Sequence, residues 1–175
     1  MKSFTLFIVL LLCMTVEAQT QINSQADFNA LEAKYEKFVN EGDSPQKEEF
    51  IKQLSTLRDS MMNKQGTMIR TQSSFTESEE KELGQMDVYI GYLDRWLMFL
   101  QKDKIRQWSE FKELWAKLKP LRQQNSPDLY KVQSELFDKA CKELEHLPDA
   151  ERKKRSWEIY AIFNLLNTLP EEPEP

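Results

Sequence analysis

The chain has 175 residues, 40% of them hydrophobic and 30% charged, with four glycines, seven prolines and a net charge of −5. These proportions exclude collagen-like, disordered and multi-pass membrane classes and suit one domain with a short appended segment. The acidic balance argues against a nucleic-acid partner, and one histidine with two cysteines leaves little material for metal or nucleophile chemistry.

Residues 1–18 read as a secretory signal peptide. Lys2 supplies a positive start, residues 4–14 are almost unbroken apolar sequence, and Val16-Glu17-Ala18 suits cleavage after Ala18. An uncleaved anchor would need about 20 apolar residues. Leu12 before Cys13 is too bulky for a lipoprotein signal. Cleavage leaves Cys141 as the single cysteine, so a mature domain over residues 19–170 must hold itself together by packing, with no disulfide inside it.

Ser24 with Asp27 predicts a helix start, Phe28, Leu31, Tyr35 and Phe38 form its apolar stripe, and Gly42 is expected to end it. Ser44-Pro45 is a second start signal, followed by Phe50, Ile51, Leu54, Leu57 and Met61 and a stop at Gly66. Residues 67–75 show no period and read as a loop. Thr76 with Glu79 is a capping box. From there one register runs through Leu83, Met86, Ile90, Leu93, Leu97 and Leu100 to Phe111, Leu114 and Leu118, and Pro120 should stop it. One helix over residues 77–119 would be about 64 Å long, against about 40 Å for a compact domain of this size. A break or sharp kink is therefore expected near residues 101–104.

Ser126-Pro127 repeats the start signal for a stripe of Leu129, Val132, Leu136, Ala140, Leu144 and Leu147, ended by Pro148. Asp149 is expected to cap a last helix that is apolar almost all round, with Trp157, Ile159, Tyr160, Ile162, Phe163, Leu165, Leu166 and Leu169. Residues 171–175 form an acidic Pro/Glu tail. No strand alternation appears. The expected fold is all-α, a single bundle of five or six mostly antiparallel amphipathic helices.

Most candidate chemistry fails at the level of residue supply. Glu143-x-x-His146 has metal-ligand spacing, but a bundle di-metal site needs a second such pair and the chain has one histidine. No metal site and no cofactor is therefore expected. There is no Gly-rich phosphate loop and no Gly-x-Ser-x-Gly elbow, so the chain does not read as an enzyme. Cys141 sits on or beside the apolar stripe and reads as a buried, inert thiol. The alternative is a Cys141-linked dimer, which ranks below a monomer.

The unusual stretch is residues 95–122, with eight basic residues against three acids and three of the four tryptophans. On a helix, Lys104, Trp108, Lys112, Trp115 and Lys119 form one stripe. Such a face could seat against an acidic protein surface or anionic lipid headgroups. The competing reading packs both tryptophans at the core edge while the lysines reach solvent. Arg152-Lys153-Lys154-Arg155 resembles a furin-type convertase site. Cleavage after Arg155 is disfavoured, because the following helix reads as the most buried one.

The sequence thus points to a secreted, extracellular, non-enzymatic helical binding protein that acts on a protein partner through helix faces. The alternatives are a carrier of a small apolar ligand such as a fatty acid, or a lipid-surface-binding helical protein.

Overall fold

The structure is a computed structural model that describes residue 22 and residues 25–168. Residues 1–18, read above as a signal peptide cleaved after Ala18, together with Cys13, the Ser24 start signal, Leu169 and the tail at 171–175, lie outside the described residues. Among the described residues the fold is all-helical, with no strand and no disulfide. Seven α-helices occur there in chain order: α1 (Gln25–Val39), α2 (Pro45–Thr71), α3 (Glu77–Leu100), α4 (Lys102–Gln107), α5 (Ser109–Gln123), α6 (Leu129–Glu143) and α7 (Asp149–Thr168). A 3-10 turn, Leu144–His146, follows α6. Seven replaces the expected five or six because the long register after Thr76 is broken twice. The helices fall into two compact units, with the boundary inside α3 between Leu93 and Asp94.

The first unit is organised by its caps and one apolar face per helix. Ser44 takes an extended conformation and its hydroxyl accepts from the Lys47 amide at 3.1 Å, with Pro45 as the first helical residue of α2. This places Phe50, Leu54, Leu57 and Met61 on one buried face. Phe38 of α1 meets Phe50 at 5.5 Å between ring centroids, and Phe28 stacks on Tyr89 of α3 at 5.1 Å. At Thr76 the capping box forms in both directions. The Thr76 amide donates to the Glu79 carboxylate at 2.8 Å, and the Glu79 amide donates back to the Thr76 hydroxyl at 3.4 Å.

Two expected helix ends in this unit are corrected. α1 stops at Val39, three residues short of Gly42, and no glycine here has a positive φ, so no left-handed glycine cap closes it. Instead the Lys47 ammonium donates to the carbonyl of Glu41 at 2.6 Å beyond the helix end. α2 runs straight through Gly66 to Thr71, and the loop expected at 67–75 shrinks accordingly. The hydroxyls of Thr67 and Thr71 donate to carbonyls four residues back, each at 2.8 Å. Lys64 also bonds Glu82 of α3 at 2.5 Å. Tertiary contacts outweigh the roughly 1 kcal/mol cost of one helical glycine.

The second unit surrounds α7. Ile159, Ala161, Ile162, Phe163, Leu165 and Leu166 are all buried, against Met98, Ile105, Phe111, Leu114, Leu118 and Ala140. The expected break near residue 101 is present: Gln101 leaves helical geometry and its amide is shared between the carbonyls of Leu97 and Met98. A second break was not expected. Trp108 is extended (φ −62, ψ 137), so α4 is a short segment that carries Ile105 into full burial before α5 begins. Pro120 does not stop α5, which continues to Gln123. Asn125 ends it instead. At φ 46 it is the left-handed residue of a Schellman motif, with Ser126 N–H to the Leu121 carbonyl and Asn125 N–H to the Arg122 carbonyl, both 2.9 Å.

Ser126-Pro127 makes a turn rather than a cap. The Ser126 hydroxyl accepts from the Asp128 amide at 3.2 Å and α6 begins at Leu129. The α-helical part of α6 also ends early, at Glu143, before the 3-10 turn. Asp149 is the first helical residue of α7, not its cap.

Candidate functional site

The aromatic-basic stripe is only partly assembled. Lys104 is exposed on α4, while Lys112, Trp115 and Lys119 lie on α5 with Trp108 at its start. The extended backbone at Trp108 therefore separates Lys104 from the helix carrying Lys112, Trp115 and Lys119. Both tryptophans are half-buried and pack against the core of the second unit. Trp108 meets Trp157 edge-on at 6.3 Å, and the Arg122 guanidinium sits 5.7 Å over the Trp115 ring. Lys112 is exposed and its ammonium donates to the Gln107 side-chain oxygen at 2.9 Å.

The basic run at the start of α7 has local partners. Arg152 donates to the carbonyls of Leu144 (3.1 Å) and Leu147 (2.8 Å) at the 3-10 turn, the first of which also accepts from the Leu147 amide. Arg155 forms a two-pronged pair with Glu110 of α5, at 2.6 and 2.7 Å, and also faces Glu158 at 3.5 Å and Glu143 at 3.6 Å. The Glu110 carboxylate raises the pKa of the guanidinium further. Arg155 thus ties α5, α6 and α7 together. Nearby, burial raises the Tyr160 hydroxyl above its ordinary value, with the Asp94 carboxylate pushing the same way and Arg95 opposing.

The least expected feature is a groove of about 830 Å³ between α6 and α7. Its floor is Leu129, Phe137 and Phe163, with Phe137 edge-on to Phe163 at 5.2 Å. Tyr130 stands on its rim with 83% of its surface exposed, and Phe137 is 42% exposed. Gln133 and Asn167 are bonded to each other at 2.5 Å along the same groove. Among the described residues Arg122 is the one charged group in the lining, and it also donates to the Leu166 carbonyl. Chemically the groove offers an apolar floor, carboxamides that both donate and accept, and a cation.

Reading one apolar stripe along α6 misses this surface. Tyr130, Ser134, Phe137 and Cys141 recur at steps of four and three, forming a second stripe beside the one at Leu129, Val132, Leu136 and Ala140. Cys141 is a free, half-buried thiol on that second stripe, not a fully buried one. His146 is exposed at the end of the 3-10 turn. Among the described residues no three His, Cys, Asp or Glu side chains gather where a metal could be held. No described helix is long and apolar enough to cross a membrane.

No protein family, no curated protein and no solved structure matches this chain.

Proposed function

We propose that this chain is a secreted, non-enzymatic binding protein that takes a protein partner on the α6–α7 groove. The observation that carries this reading is Tyr130, 83% exposed, in a groove with Phe137 at 42%, Leu129 and Phe163. Water-exposed aromatics grouped over a groove are costly for a free surface and are the typical anchors of protein interfaces. The carboxamides along the groove can pair with a partner's backbone without fixing its sequence. Arg122, with the lysines of α5 beyond it, favours a partner carrying acidic side chains beside its apolar ones. Secretion rests on the apolar leader at residues 1–18.

The test is photo-crosslinking from position 134 in extracellular fluid of the native source. A discrete adduct is expected. It should disappear in the Tyr130→Ala/Phe137→Ala variant, while Tyr130→Ala alone shifts chemical denaturation by less than about 0.5 kcal/mol. An adduct that survives both substitutions would remove the groove from the functional account.

A further inference from the structure

The first unit contains a separate open cavity of about 620 Å³ between α2 and α3, with Ile22 also in its lining. Its volume lies in the range of small-ligand sites. Met61 and Met86 form an apolar base, and both are buried. Flexible thioether side chains adapt readily to an alkyl chain. Tyr89, a residue only 7% exposed, lines the same cavity and brings a hydroxyl to it. This hydroxyl accepts from the Gln85 carboxamide at 2.9 Å, which leaves its own proton to donate. Among the described residues nothing takes that proton.

The rim is weighted towards donors. Lys64 and Lys81 both line the cavity, with the hydroxyls of Ser60 and Ser78. Among the described residues Glu82 is the one acid in the lining, and Lys64 bonds it at 2.5 Å. Lys81 has no ion pair among the described residues. One tyrosine hydroxyl with a proton to donate, one ammonium in no ion pair among the described residues and an apolar base together specify the occupant. It is an anion at one end and an alkyl chain at the other. We infer that this cavity binds a single-chain fatty carboxylate of medium length, its carboxylate between Lys81 and the Tyr89 hydroxyl and its chain over Met61 and Met86. A neutral alcohol would leave the Lys81 charge unmatched, and a cationic amphiphile would face two ammonium groups.

The experiment is titration calorimetry on protein purified from cells expressing the full chain, with decanoate below its micelle concentration. Decanol and decyltrimethylammonium are the controls. Saturable one-to-one binding of decanoate is expected, with both controls at least tenfold weaker. Lys81→Gln should weaken decanoate about fivefold, as befits a solvent-screened ion pair. Tyr89→Phe, which keeps the buried ring, should weaken it by a similar factor through the lost donor, about fivefold. Ser60→Phe should fill the cavity and abolish binding. Equal binding of decanoate and decanol, or decanoate binding unmoved by Lys81→Gln and Tyr89→Phe, would overturn the inference. None of these variants touches Tyr130 or Phe137, so this result stands apart from the partner-binding test.

Discussion

Thr76 and Glu79 show how far a single turn of sequence carries. The Thr76 backbone N–H, then its hydroxyl and then the Gln72 carboxamide hold the Glu79 carboxyl below its ordinary value of 4.5. A carboxylate with a lowered folded-state pKa stabilises fully above the unfolded value and loses that contribution as pH falls through the folded one. Wild type should therefore exceed Glu79→Gln in stability at neutral pH, and the gap should close in acid below about pH 4.5. Chemical denaturation across that range checks it, and a gap that is constant with pH would detach Glu79 from the effect. Arg155 illustrates the opposite case. Its partner Glu110 lies 45 residues away, so the reason for basic charge at a helix start is invisible in the local sequence. The fork on Glu110 holds the Arg152–Arg155 run in helical form, which a protease would have to unwind before cutting after Arg155.

At the scale of elements, the aromatic residues of α5 and α6 divide between those packed on the core and those left exposed. Trp108 and Trp115 rest on the core cluster, whereas Tyr130 projects from it. Replacing Trp108 and Trp115 with alanine should cost about 2 kcal/mol each, less than a fully buried tryptophan because both remain half-exposed. Denaturant unfolding of the single and double variants measures this. Losses below about 0.5 kcal/mol would return the pair to the role of a contact face. The helix ends follow the same division. Ser44 and Thr76 act as their side chains dictate, but α2 passes Gly66 and α5 passes Pro120 because packing and long-range bonds supply more than a local breaker removes.

At the scale of the whole molecule, each unit holds its own buried cluster and no covalent link reinforces either one among the described residues. Cys141, half-buried on the second stripe of α6, has no second cysteine among the described residues to pair with. The melting temperature of the purified protein should be the same with and without reductant at matched concentration. A drop on reduction would reveal a Cys141 bridge between two chains, since removing a cross-link lowers stability.

The helical class, the start signals at Ser44 and Thr76 and the burial of α7 over residues 159–166 were legible in residue order. Each is set by interactions within one or two turns or by the period of apolar side chains. Of the candidate stripe, the sequence identified Lys112, Trp115 and Lys119 as neighbours on α5 with Trp108 at its start, but it also joined Lys104 to them. The break at Trp108, the Arg155–Glu110 clasp and the α6–α7 groove depend on residues far apart in the chain. The pocket around the Tyr89 hydroxyl does too. A one-dimensional period cannot tell which of two adjacent stripes on α6 is covered. Only the packing of α7 against α6 decides that Leu136 turns inward while Tyr130 is left in water.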